Sequence, residues 1–335
     1  MTKNKGLLWV VIGVVVFSIA SYFWTAGKSA GSSELTLYTS QPEADVQKLI
    51  AAFNADHPNV KVSVFRSGTE EVVSKVLAEE AAKTVKADVL LVADNVTFEL
   101  LKQKNMLESY RSPETKGIPT QFIDPDGTYT GTKIITTGII VNTSRIKQMP
   151  TSFADLTKAP YTGDMAMPSP LYSGAAAYNL GVLTRTQGIG WEWYQALKDN
   201  GMMVGQGNGS VQKLVVSGEK ACGLVADYMA NRSRMSGAPV EFVYPSEGSP
   251  VITEPIGLLK ASAQKEAAKL FIDFVLSKKG QELAAAMGYT PIKEGISAPE
   301  GLKNITQFKA IAVPSSELFS HREEDKKQFT ALFQN

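Results

Sequence analysis

Three short runs of small polar residues carry the chemistry that the first third of this sequence can do. They are Thr39-Ser40-Gln41, Ser67-Gly68-Thr69 and Asp94-Asn95, and each stands between an apolar strand-like run and a helix-like run. A strand-to-helix junction exposes the free backbone N–H groups of a helix start, whose dipole favours an anion. The hydroxyls of Ser40, Ser67 and Thr69 add donors. The same residue types also cap helices with no ligand present, so each junction alone has two explanations. Parallel sheets gather such junctions at the carboxyl ends of their strands, where ligands of open α/β sheets bind, and three on one expected edge point to a site.

The second third adds PSPLYSGAAAY. Pro168 and Pro170 bracket a turn, then Ser173-Gly174-Ala175 opens a helix of small residues. Gly174 lets a ligand approach the backbone and Ser173 can cap or donate, again as a helix-start anion site; the alternative is a capped helix with Gly for packing. Tyr172 stands next to this turn. In GQGNGSVQ, Asn208-Gly209-Ser210 is first a turn signal and second a cleft lining. It is not a dinucleotide fingerprint, because the glycine spacing is wrong and no strand is expected to run directly into it. Asp227 and Tyr228 end the strand GLVAD, where a carboxylate can hold a cation or amine and a phenol can ligate a hard metal. Glu254 is a further candidate for the same face.

Catalysis would need a nucleophile with a base, a metal cluster or a cofactor lysine. The chain has His57, His321 and Cys222 as its only His and Cys residues, none near another in sequence. Cys222, within ACGLVADY, reads as a buried small hydrophobe. No catalytic residue, resident metal or cofactor is expected. Trp191, Trp193 and Tyr194 share one helix, GIGWEWYQAL, and read as packing.

The elements that must position these residues alternate from Glu34 onward. LTLYTS, VKVSVF and ADVLLVA read as strands, and the segments after them have helical spacing. This βαβαβα order implies a mostly parallel sheet with helices on its faces. TKIITTGIIVNTSRI is β-rich and crosses into a second lobe. There TSFADL reads as a short capped helix, DMAMPSP as a strand, and SGAAAYNLGVLTRT and IGWEWYQALKDNG as helices, and QKLVVSG, ACGLVAD and VEFVYP continue the alternation. TEPIGLLK returns to the first lobe, and EAAKLFIDFVLSKKGQELAAAM is one long helical stretch. The expected division is 1–31, then 32–141 as the first part of lobe 1, 142–250 as lobe 2, and 251–335 as the return with the C-terminal helices.

Residues 1–31 differ from the rest. Lys3 and Lys5 precede an apolar run from Gly6 to Trp24. This is the pattern of an export signal, although the run approaches the roughly 20 residues that span a bilayer, so an uncleaved N-terminal anchor stays open. No Cys follows the run for lipid attachment. Without residues 1–30 the chain loses Lys3, Lys5 and Lys28, and its net charge goes from +1 to −2. With no basic block, nucleic-acid binding has no electrostatic footprint.

LTLYTSQPEADVQKLIAAF, KADVLLVADNVTFELL, MPSPLYSGAAA, VVSGEKACGLVADY, TEPIGLLK and AAKLFIDFVLSKKGQELAAAMGY, in this order, resemble the extracellular solute-binding proteins of ferric-iron, thiamine and phosphonate or sugar-phosphate ABC importers. The resemblance runs from about Leu35 to about Pro291. It implies the two-lobed type II periplasmic-binding-protein fold and a periplasmic location. It also implies a ligand held between the lobes and docking of a monomer on an inner-membrane permease with a cytoplasmic ATPase. Ser173, Gly174 and Ala175 match the place where iron-binding relatives hold an accompanying anion. Tyr228 matches the first of two adjacent tyrosines that grip ferric iron, but Met229 occupies the second place, and no His stands in the first junction. An anionic, phosphate- or phosphonate-bearing organic ligand is therefore expected, with Asp227 meeting an amine or hydroxyl. Ferric iron held by Tyr228 and Asp227 is the alternative; thiamine or a membrane-tethered sensor role stand further off.

Overall fold

A computed structural model describes residues 33–334 of the chain. The expected signal or anchor at 1–31 lies outside these residues. Among the described residues no helix is long and apolar enough to cross a membrane.

The alternation in SELTLYT produces strand β1 (Ser33–Thr39), which buries Leu35 and Leu37. Helix α1 (Glu43–Asp56) follows, burying Val46, Leu49 and Phe53 at helical spacing. Then come β2 (Val60–Arg66), α2 (Thr69–Ala81), β3 (Val89–Leu91) and α3 (Asn95–Gln103), with β2 and β3 both parallel to β1. After the short β4 (Leu107–Glu108), the long β5 (Thr130–Asn142) is buried along its whole length. The chain continues through β6 (Met165–Pro168), α4 (Gly174–Thr184), α5 (Gly190–Asp199), β7 (Met203–Gly205), α6 (Asn208–Val216), β8 (Cys222–Ala226), α7 (Asp227–Met235) and β9 (Val240–Val243). It returns along β10 (Ser249–Leu259) and ends with α8 (Lys265–Leu276), α9 (Lys278–Ala286), β11 (Thr290–Pro291), β12 (Ala310–Ile311) and α10 (Ser315–Phe333).

The main sheet runs β2-β1-β3-β10-β5-β8-β6-β7. Its ends are parallel, as expected for alternating strands and helices. Its middle is antiparallel, because β10 and β5 run against their neighbours. Strand β5 pairs with β10 up to Thr136 and with β8 from Thr137 onward, so one strand belongs to two half-sheets. One core gathers Leu35, Phe53, Leu91, Phe271 and Phe274; a second gathers Ile139, Phe153, Leu180, Trp193 and Cys222. Helix α10 touches both halves. Phe329 is buried in the second core, and Arg322 pairs with Glu70 and Asp94 of the first half.

Three local expectations are corrected. TSFADL forms only a 3-10 turn, Ala154–Thr157, because Asp155 takes hydrogen bonds from the N–H and hydroxyl of Thr151 and fixes a tight loop. The single long helix expected near the C-terminus breaks at Ser277, which leaves helical geometry and caps α9. A strand does lead into the glycine-dense segment, since β7 ends at Gly205, two residues before the N-cap Gly207.

Candidate ligand-binding site

A cavity of about 180 Å³ opens between the two half-sheets. Its walls are mostly helix starts. Pro42 caps α1, Gly68 and Thr69 begin α2, and Ala93 precedes the cap of α3. From the other half come Ser173 and Ala175 at α4, Gly207 to Gly209 at α6, and Ala226, Tyr228 and Met229 at α7. The first turn of any helix leaves N–H groups without intrahelical acceptors, and the dipole makes that end positive. Six such ends from two half-sheets face one space. The exposed Arg66, which gives one guanidinium N–H to the carbonyl of Gln41, adds a full positive charge to the wall.

The sequence-predicted residues divide by position. Ser40, Gly68, Thr69, Tyr172, Ser173, Ala175, Asn208, Gly209, Tyr228 and Glu254 line the cavity. The Thr69 hydroxyl donates to Ser40 Oγ (2.9 Å), and Asn208 Nδ2 donates to Ser173 Oγ (3.2 Å), so these polar groups are tied to one another. Across the space, Glu70 N–H donates to the Tyr172 carbonyl (3.3 Å).

The remaining candidates lie behind the wall. Thr39 is buried; its hydroxyl donates to the Leu91 carbonyl and accepts from Gln41 N–H. Gln41 is 2 % exposed and donates to Glu254 Oε2 (2.7 Å). Ser67 donates to Glu71. Asp94 caps α3 and is fully buried against Arg322, and Asn95 donates to Ser315 Oγ. Gly174 is pressed against the opposite half, so that a Cβ there would meet Thr69 and Asp94.

Asp227 also departs from expectation. It is 1 % exposed, and its Oδ1 accepts the N–H groups of Thr136 (3.2 Å) and Tyr228 (2.8 Å). The carboxyl thus ties α7 to β5 instead of meeting a ligand, and burial pushes it up to about 7. A carboxylate at a helix start is drawn to the free N–H groups, which explains the turn inward.

Sequence reasoning missed Arg66 in the wall and the buried charges behind it. Lys133 forms an ion pair with Glu254 and stands 4.7 Å above the Tyr289 ring. Arg232 packs over Tyr228 and Tyr289 and bonds Asp45 (2.9 Å), which also accepts from the Tyr289 hydroxyl (2.6 Å). Burial raises the Tyr228 phenol well above its ordinary range, and the positive charge of Arg232 only partly offsets this. Arg66 ends a strand and carried a local signal; the others are distant in sequence and carried none. Among the described residues, no group of three or more His, Cys, Asp or Glu side chains converges on a metal site. Trp193 and Tyr194 lie in the second core, away from the cavity.

The two-part α/β frame with a cavity between its halves is the architecture of a ligand-binding protein. A family model for bacterial extracellular solute-binding proteins matches residues 85–320, and the chain belongs to that family. It is 22 % identical over 304 residues to an Fe(3+)-binding periplasmic protein of Serratia marcescens, covering 87 % of this chain and 88 % of that one. In structure it resembles the periplasmic binding protein AfuA from Actinobacillus pleuropneumoniae with exogenous fructose-6-phosphate bound. The TM-score is 0.84 at 24 % identity, with 91 % of this chain and 99 % of the other covered. Iron-bound HitA from Pseudomonas aeruginosa aligns with a TM-score of 0.78 at 22 % identity, covering 89 % and 99 %. At these identities the structural likeness establishes the fold.

Proposed function

We propose that the chain is the periplasmic binding component of an ABC importer and that its ligand is a small organic phosphate or phosphonate. The convergence of six helix starts and Arg66 on one cavity carries this reading. Such a wall offers N–H donors and positive potential with little free negative charge. Glu254 reaches the cavity, but Gln41 and Lys133 hold its Oε2, so its charge is balanced. The other carboxylate oxygen is left to accept from a ligand hydroxyl or ammonium. The cavity, about 180 Å³, is more than a bare ion fills.

The lobes run 33–141 with the return from residue 251, and 142–250, hinged where β5 and β10 cross, with α10 packed across to the second lobe. The closed monomer delivers its ligand to an inner-membrane permease driven by a cytoplasmic ATPase, and no chemical conversion is involved. The fructose-6-phosphate-bound relative supports the ligand class.

Ferric iron is the second reading, favoured by Tyr228 in the wall and by the named activity of the Serratia relative. It is the weaker one. Met229 follows Tyr228 and Asp227 faces β5, so few anionic oxygens remain for a hard metal.

A thermal-shift screen of residues 32–335 against hexose phosphates, aminoethylphosphonate, inorganic phosphate, thiamine and ferric citrate tests the proposal. A ligand at a hundred times its Kd stabilises by about 2.7 kcal/mol. A shift with ferric citrate alone, lost in Tyr228→Phe, would reverse the order of the two readings. No shift with any phosphorus compound would remove the anion reading.

A further inference from the structure

Two carboxylates stand just behind the proposed anion site. Asp94 is fully buried at the start of α3, with its Oδ2 only 2.8 Å from where a Cβ on Gly174 would lie. Glu70 is in the first turn of α2, one residue from Thr69 in the cavity wall. Uncompensated, both would repel an anion held at these helix starts. The compensation comes from the other end of the chain. Arg322 Nη2 bonds Glu70 Oε1 (2.6 Å) and Asp94 Oδ2 (3.0 Å), and Lys326 Nζ bonds Glu70 Oε2 (2.9 Å).

Both cations sit on α10, which packs on both halves. Phe329 is buried in the second core, and Leu318 packs within 2.9 Å of the Cβ position of Gly181 on α4. Arg185, at the end of α4, pairs with Asp325 (2.7 Å). On the first half, Leu318 shares an apolar cluster with Val96 of α3, Ser315 accepts from Asn95, and the two cations hold Glu70 and Asp94.

We propose that Arg322 is a positioning residue for ligand capture: held between Glu70 and Asp94, it neutralises them, so that the cavity wall can take an anion. The inference rests on the anion reading above.

Arg322→Gln leaves the buried Asp94 without its cation and Glu70 with Lys326 alone. The titratable groups around them are Lys326 on α10 and Tyr178 on α4; Tyr178 is pushed up to about 12 by burial and by Asp94. Isothermal titration with glucose 6-phosphate and aminoethylphosphonate on residues 32–335 provides the test. Arg322→Gln is expected to weaken the binding seen in the wild type on the order of tenfold or more. The deficit relative to wild type at the same pH should shrink as pH falls and the freed carboxylates protonate. Asp94→Asn added to Arg322→Gln keeps the cap, since Asn serves as well as Asp there, and should restore most of the affinity. A merely structural role for Arg322 would lower the ligand-free melting temperature, and an affinity deficit that only tracks that temperature through pH and Asp94→Asn would overturn the inference. Wild-type affinity in Arg322→Gln, or a deficit that neither pH nor Asp94→Asn relieves, would overturn the inference while leaving the anion reading intact. Failure of the wild type to bind either probe would overturn both.

Discussion

Gly174 is the position where one added methyl group tests closure most directly. Its backbone does not need glycine, since its φ lies outside the left-handed region, and it begins α4. A Cβ there would stand 2.7 Å from Thr69 Cβ and Cγ2 and 2.8 Å from Asp94 Oδ2, all on the opposite half. Carbon atoms pack best at about 3.5–4.0 Å, so the halves must part by several tenths of an ångström. Overpacking of this kind costs roughly 1–3 kcal/mol. Charged to the closed form alone, it weakens binding about 5- to 150-fold. An opened cleft relieves these contacts, and alanine is favoured over glycine in a helix by about 0.5–1 kcal/mol. Gly174→Ala is therefore expected to weaken binding of the tightest probe in the screen while the ligand-free melting temperature stays level or rises. Titration calorimetry and ligand-free calorimetric melts read the two quantities separately. An affinity within twofold of wild type, or a lower melting temperature with unchanged affinity, would refute the reasoning.

Other outcomes follow from the same geometry. Arg66→Ala removes the exposed cation in the wall and should weaken phosphate binding on the order of tenfold, with a smaller salt dependence in titrations at two ionic strengths. Glu254→Gln leaves Lys133 buried without its counter-charge and should cost about 3–5 kcal/mol in urea unfolding, most of which Lys133→Met in the same chain should recover. Asp227 is held near 7 by burial, while an unfolded Asp titrates near 3.9. Between those values the folded form binds the extra proton, so stability falls as pH rises from about 4 to about 7. Asp227→Asn removes that contribution, and its melting temperature should fall less than the wild type's over this window. An identical pH slope in the two proteins would place the titration elsewhere.

The alternation of strand-like and helix-like segments was legible, because each run carries its own period and its own cap. So were the helix starts that surround the cavity, because Ser, Thr, Gly and Asn mark them locally. What could not be read was which of these residues faces inward. Thr39, Ser40 and Gln41 are consecutive, yet only Ser40 lines the cavity; the other two serve the β1 end and Glu254. The direction of a side chain at a strand end depends on which strand lies beside it, and β3 and β10 come much later in the chain. Asp227 had the right residue type in the right place, but it found two N–H partners on the buried side. The ion pairs of Lys133 with Glu254 and of Arg322 with Asp94 join residues 121 and 228 positions apart. No periodicity or cap records such a pairing.

The place of β10 in the sheet also constrains how the molecule can be made. Leu91 at the end of β3 pairs with Ile256, and Thr136 on β5 pairs with Val251. Until residues 249–259 have left the ribosome, β3 has an open edge and β5 lacks one neighbour. An unpaired strand edge invites association with other chains. A fragment ending near residue 141 would carry both exposed edges, so the first half cannot finish folding ahead of the second. The chain must travel nearly to its end unfinished, and its two halves become complete together.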